Sequence, residues 1–166
     1  MTRSTVPIAF AVLLLVACSD PTGSGPGPAP ELPPSELVTQ GLEYSLTVRP
    51  DSLGPHDPFE VDVVVRNLRE EPVVIWSPSS CWVSQRFIQT QVDTFIWPSP
   101  GLGLCFGAVS EWEIPEGGDR RWLRDYSAED MWLEPVPSGW YIVRARVYAE
   151  EGDPRVTLWH PLLVYP

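Results

Sequence analysis

From Leu42 onward, apolar and polar residues alternate with a period of two, broken by short clusters of Gly, Pro, Asn and Asp. That is the pattern of strands with one face buried and one face wet. Leu42–Val48 reads as a first strand, followed by a turn-rich connection over Pro50–Pro58. Phe59–Arg66 alternates most cleanly: Phe59, Val61, Val63 and Val65 are expected inside, Glu60, Asp62 and Arg66 in water. Asn67–Glu71 turns the chain and Val73–Trp76 returns as a strand. Trp82–Ile88, Val92–Trp97, Val109–Ile114 and Arg120–Tyr126 are further strands, with Pro115–Asp119 as a turn. Ser127–Trp132 reads as a capped helical turn, with Asp130 near its positive end. A strand opening at Pro137–Tyr141 and ending near Tyr148 puts Tyr141, Val143, Ala145 and Val147 inside and Arg144 and Arg146 outside. Arg155–Tyr165 is the last strand.

Tyr141 stands two residues after Gly139 at the start of the penultimate strand, the placement of a tyrosine corner. In such a corner the hydroxyl bonds to backbone upstream. About seven to nine short antiparallel strands with this punctuation predict an immunoglobulin-like Greek-key β-sandwich; an open barrel is the alternative.

The chain before Leu42 is of another kind. Arg3 charges a short n-region, and Ile8–Ala17 is a ten-residue apolar stretch. A bilayer span needs about 20 residues, whereas a signal-peptide core needs roughly 7–15. The stretch ends in Leu15-Val16-Ala17-Cys18, which looks like a bacterial lipobox, so Cys18 is the expected lipidation site. Several acyl chains, at about 0.8 kcal/mol per buried CH₂, would anchor it stably. Ser19–Ser35 is dominated by Pro, Gly and Ser and reads as a disordered tether holding the domain clear of the bilayer. The expected organisation is a signal peptide at 1–17, a lipidated Cys and linker at 18–40, and one β-sandwich at 41–166, preceded by that disordered linker.

Charge narrows the partners. The chain has 11 basic residues against 22 Asp and Glu, a net −11, and every basic residue is arginine. Removing residues 1–17 deletes Arg3 and no acid, leaving 10 − 22 = −12. Phosphate backbones and anionic headgroups are bound through basic surface, so neither nucleic acid nor direct headgroup docking is expected.

Several segments resemble the BsuPI-type domains, immunoglobulin-like domains named after an intracellular subtilisin inhibitor of Bacillus. Phe59-Glu60-Val61-Asp62-Val63-Val64-Val65-Arg66-Asn67 followed by Glu71-Pro72-Val73-Val74-Ile75 is similar to that family's "strand, Asn, turn, Pro-Val, strand" opening. Ile114–Asp119 resembles its turn before a strand that here holds Trp122, and Pro137–Val143 resembles its closing Pro-x-Gly-x-Tyr strand. The likeness runs from about Tyr44 to Tyr148, and between Cys81 and Cys105 the chain departs from the family pattern. The resemblance implies the sandwich fold and, more distantly, a proteinase-inhibitor-like role.

With Cys18 assigned to lipid, Cys81 and Cys105 are expected to form a disulfide in an oxidising compartment. Between them, Pro98, Pro100, Leu102, Leu104 and Phe106 belong to a proline-stiffened apolar loop, the candidate binding loop. A rigid loop loses less entropy on docking; the alternative is that its apolar side chains fold back on the core. Eight tryptophans raise a second reading, a carbohydrate platform, with Trp140 on an outward parity and Trp112 flanked by Glu111 and Glu113. Those two glutamates lack the pocket and third group that acid–base chemistry needs. His56 and His160 are far from the cysteines in sequence and lack metal-ligand spacing, so no metal and no cofactor is expected. No nucleophile elbow, zinc-binding helix or phosphate loop occurs. The expectation is a non-enzymatic, membrane-anchored envelope protein with a protein partner; the sequence leaves inner and outer membrane open.

Overall fold

The computed structural model describes residues 27–78, 80–89, 94–96, 109–127, 137–148 and 155–165. The fold is all-β. Among the described residues are eleven strands: β1 (Glu36–Thr39), β2 (Leu42–Arg49), β3 (Ser52–Leu53), β4 (Pro58–Asn67), β5 (Val73–Ser77), β6 (Val83–Gln89), β7 (Thr94–Ile96), β8 (Ser110–Ile114), β9 (Asp119–Ser127), β10 (Gly139–Val147) and β11 (Val156–Val164). Four form a sheet in the order β1-β2-β4-β9 and five form a second in the order β3-β11-β10-β6-β7. β5 and β8 pair separately.

The two large sheets bury their inner rows against each other. Phe59, Val61, Val63 and Val65 of β4 and Tyr141, Val143, Ala145 and Val147 of β10 are all buried, as alternation requires. Phe87 of β6 meets Phe59 edge-on at 5.8 Å and Tyr126 of β9 at 5.3 Å, tying the sheets together through aromatic rings. Tyr126 also accepts a hydrogen bond at its hydroxyl from Gln85 of β6.

Several expectations need correction. Eleven strands replace seven to nine, and the β3–β11 pair is parallel. The first additional strand lies in the presumed linker: Glu36–Thr39 pairs with Leu42–Ser45 through the two-residue turn Gln40-Gly41. Both turn residues have positive φ, 50° and 72°, the conformation that lets a two-residue hairpin follow the strand twist. The sheet therefore starts at Glu36, before residue 41. The strand expected at Val73–Trp76 is present as Val73–Ser77 and pairs with β8. Asp62, expected in water, is buried beneath a bidentate bridge to Arg121, with both N···O distances 2.8 Å. Arg121, one strand over, supplies the partner that periodicity within β4 cannot show, and its hydrogen bond to Asp62 raises the guanidinium pKa. Arg144 keeps its outward parity but is buried, its guanidinium 5.4 Å from the Trp159 ring. Of the helical turn expected at Ser127–Trp132, Ser127 ends β9 and residues 128–132 lie outside the described residues.

Two polar devices fix the turns. Asn67, wholly buried at the end of β4, donates its amide to the carbonyls of Glu71 (2.8 Å), Ile114 (3.2 Å) and Pro115 (3.2 Å). Its side-chain oxygen accepts the Arg69 amide at 2.9 Å, and its own backbone N–H donates to Gly118. One side chain thus pins the turn after β4 to the turn between β8 and β9. At the other end, the Tyr141 hydroxyl donates to the Pro137 carbonyl at 2.7 Å, four residues upstream. Burial pushes that phenol up to about 12.

Candidate functional site

The residues singled out from sequence are unevenly placed. Cys18, Cys105 and the loop residues Pro98, Pro100, Leu102, Leu104 and Phe106 lie outside the described residues. Cys81, just before β6, is disulfide-bonded, and its carbonyl accepts the Ser77 hydroxyl at 2.8 Å. Glu111 and Glu113 are exposed on the face of β8 turned from the core. His160 Nδ1 lies 2.7 Å from the Pro161 carbonyl. Among the described residues, no three His, Cys, Asp or Glu side chains come together as a metal site, and no helix is long and apolar enough to cross a membrane.

Tryptophan is where sequence and structure meet most usefully. Trp97 and Trp132 lie outside the described residues; Trp82 is buried and Trp76, Trp112, Trp122, Trp140 and Trp159 are half-buried. Trp112 does not share the exposed face of its glutamate neighbours. It has the opposite parity on β8 and packs against the core beside Trp82, with ring centroids 6.4 Å apart. Trp140 has the outward parity expected of it, and its indole N–H donates to the Gly27 carbonyl at 2.7 Å.

The arrangement with the most chemical content runs along β9. Because β4 pairs with β9 as Val65↔Arg120, Val63↔Trp122 and Val61↔Arg124, these three β9 residues share the parity of the buried valines. Yet β9 closes the four-stranded sheet, and its inward row reaches the rim where the β5–β8 pair approaches. Arg120 lies 5.5 Å from the Trp112 ring and 5.9 Å from the Trp82 ring, so one guanidinium serves two indoles, one on β8 and one just before β6. Arg124 stands 5.7 Å from Trp122. Burial lowers the Arg120 pKa, and its Nε has no hydrogen-bond partner among the described residues. The indole faces therefore carry much of the electrostatic compensation there, an interaction of about 0.5–2 kcal/mol depending on desolvation. Arg124 is the exposed member of this row, which stops at buried Tyr126; Leu123 is exposed on the opposite face of β9.

The result is a ladder of cations and indoles, Trp82–Arg120–Trp112 and then Trp122–Arg124, at one rim of an acidic protein. Such a surface can stack flat rings and receive carboxylates. Sequence reading placed these residues on strands but missed their assembly. The available signal was the period-two spacing Arg120, Trp122, Arg124; of the partners, Trp112 lies on the preceding strand and Trp82 is brought near only by the fold.

No family model matches the sequence, and a search of curated proteins likewise finds no match. Solved structures share parts of the architecture. A sporulation control protein, Spo0M of Bacillus subtilis, aligns at a TM-score of 0.48 and 10% identity over 77% of this chain and 51% of its own. A β-glucosidase of Erythrobacter marinus aligns at 0.47 and 12% identity, over 75% of this chain and 15% of the enzyme. A CARDB domain from Pyrococcus furiosus, in complex with di-metal ions, aligns at 0.41 and 16% identity, over 78% of this chain and 93% of its own. This chain thus spans only a small part of the glucosidase and about half of the sporulation protein. At TM-scores below 0.5 these likenesses assign neither ligand nor activity to this chain.

Proposed function

We propose that this chain is an exported lipoprotein, acylated at Cys18, whose sandwich is an immunoglobulin-like, BsuPI-type binding module facing a protein partner at the cell envelope. The observation that carries the binding part is the Arg–Trp ladder on β9, half-open at Trp122 and exposed at Arg124. Arg and Trp are the residue types most enriched among energetically dominant interface positions, since each buries much area and keeps a polar or cationic handle. The Greek-key reading is supported by the path of the chain. It passes from β4 in one sheet to β6 in the other, returns at β9, and crosses again to β10. The Tyr141–Pro137 bond supports it as well. A Cys81–Cys105 disulfide would staple the Pro98–Phe106 loop as a second contact element. The envelope address rests on the lipobox and apolar core at Ile8–Cys18.

A photo-crosslinking side chain at Arg124, the exposed member of the ladder, in the native host tests the binding face. A discrete adduct from position 124, absent when the same group is placed at exposed Arg66 on the opposite face of the same sheet, supports the reading; identical adduct patterns from both refute it. Mass spectrometry of the native product tests the anchor: an intact Met1 or an unmodified thiol at position 18 removes it. Titrating the mature chain into a subtilisin-class protease tests the inhibitory role, which is abandoned if micromolar protein leaves cleavage unslowed.

A carbohydrate platform is the second reading, favoured by the half-buried Trp112 and Trp122 beside two arginines. Intrinsic tryptophan emission that stays unchanged across a panel of envelope glycans would dispose of it.

A further inference from the structure

We infer that the sandwich has a fixed polarity toward its membrane: the end bearing Trp140 is held against the lipid surface and the Arg–Trp ladder points away from it. This rests on the reading that Cys18 carries the lipid. The argument begins with where the tether ends. A free linker from Cys18 to Leu42 could extend about 80 Å at about 3.4 Å per residue and let the domain tumble in any orientation. The chain is caught much earlier. The Gly27 carbonyl accepts the Trp140 indole N–H at 2.7 Å. Pro30 and Leu32 are half-buried within a segment whose neighbours are mostly exposed. The Ser35 carbonyl then accepts the Leu46 amide at 2.8 Å, and Glu36–Thr39 is paired into the sheet. Residues 27–39 therefore act as a strap across the sandwich, leaving a reach of only about 30 Å between Cys18 and the first holding point.

The holding point lies at one defined end. Trp140 starts β10, beside the end of β11, where Leu163 pairs with Ser52. The ladder lies at the other: Val147 at the far end of β10 pairs with Val83, and Tyr148 donates its amide to the carbonyl of Trp82. At about 3.3 Å per residue, the nine residues of β10 separate the two ends by about 26 Å. The membrane-proximal end also exposes Tyr165, which with Trp140 gives it two aromatics carrying polar tips, suited to a water–lipid boundary. A partner meeting the ladder would approach from the side away from the anchoring membrane.

The test uses the full acylated chain in phosphatidylcholine vesicles carrying a headgroup energy-transfer acceptor, with a donor dye on an azido side chain at Ser138 or at Glu116. Both positions are exposed, and they lie at opposite ends. Over the roughly 26 Å between them, transfer from 138 should exceed that from 116 by at least about twofold. Trp140→Phe, which keeps the ring but lacks the N–H, should lose at least half of that difference while keeping its near-ultraviolet circular dichroism. Equal transfer from both positions on vesicle-bound protein overturns the inference alone, as does an asymmetry that Trp140→Phe leaves unchanged. Protein that fails to float with the vesicles overturns the lipid reading, and the polarity with it.

Discussion

Asn67 is the residue whose replacement should be felt most for its size. Its amide group has two protons and faces three carbonyls, while its oxygen holds the Arg69 amide. At most three hydrogen bonds are therefore satisfied at once, each worth about 1 kcal/mol net. Asn67→Ala forfeits these three and also orphans the carbonyl of Ile114, a residue wholly buried, at a further cost of about 1–2 kcal/mol. The expected loss is about 4 kcal/mol, a large share of the roughly 5–15 kcal/mol that holds a domain together. For a domain of this size that corresponds to a fall of roughly 12–20 °C in Tm. Asn67→Asp separates shape from hydrogen bonding: it fits the same space and can still accept from Arg69, but turns a second oxygen toward three carbonyl oxygens. At neutral pH it should be at least as damaging as alanine. Its carboxyl pKa would be raised in the fold, so the defect should ease as pH falls and the protonated acid regains one donor. Urea unfolding followed by tryptophan emission measures both variants. An alanine variant within about 1 kcal/mol of the parent, or an aspartate variant milder than alanine at neutral pH, would refute the hydrogen-bond account.

Tyr141→Phe should cost about 1 kcal/mol through loss of the bond to Pro137. Because burial pushes the Tyr141 phenol up to about 12, the neutral form is favoured in the fold. The associated stability is complete below the unfolded-state tyrosine pKa of about 10 and drains away as pH rises from there through about 12. Phenolate absorbance should show one late-titrating tyrosine that the phenylalanine variant lacks. Reduction of the proposed Cys81–Cys105 disulfide, which would close about 25 residues, should lower unfolding stability by roughly 3–4 kcal/mol, and thiol counting on the denatured oxidised mature chain should find none free. Gly41→Ala should be worse than Gly117→Ala when both are compared by thermal melts. Both glycines have positive φ, 72° and 61°, but a Cβ at Gly41 would sit 2.8 Å from Arg69 Cγ, whereas nothing lies within 4 Å at Gly117. Strain alone should cost about 1 kcal/mol at Gly117, and the excess at Gly41 measures how far Arg69 can move.

The strands of this fold are legible in the sequence because a half-buried strand writes its own period. Phe59–Val65 and Tyr141–Val147 show their inner rows directly, and both rows are buried. The bond from the Tyr141 hydroxyl to upstream backbone was legible too, since it depends on a glycine and a tyrosine held at fixed local spacing. What period two cannot show is the neighbouring strand. Asp62 looks solvated until Arg121 arrives beside it, and Arg144 looks solvated until Trp159 covers it. β1 was hidden because four residues between a proline-rich tract and a turn are too few to establish a period. The pairing of β5 with β8 joins segments separated by more than thirty residues, and nothing local encodes it. The ladder was obscured in part for the same reason, because Trp82 is remote from β9 in sequence and joins Trp112 of the neighbouring β8 only in the fold.

The position of the ladder explains why an edge strand would keep arginines on its inward row. Had β9 been central, Arg120 and Arg124 would have to be desolvated within a core without carboxylates, which costs several kcal/mol per charge. At the rim, Arg120 is only half-buried and exchanges part of its hydration for the faces of Trp82 and Trp112. Those contacts bridge the strand ends that Asn67 ties together through their turns. Arg124, one repeat further along, meets a single indole among the described residues and stays exposed. The same pattern therefore does two things along one strand. Where the guanidinium is sandwiched, it binds sheet to sheet; where it has only one ring, its outer donors remain available to a ligand. On the proposed reading, stability and recognition are graded along β9, and the residues that separate them are Arg120 and Arg124.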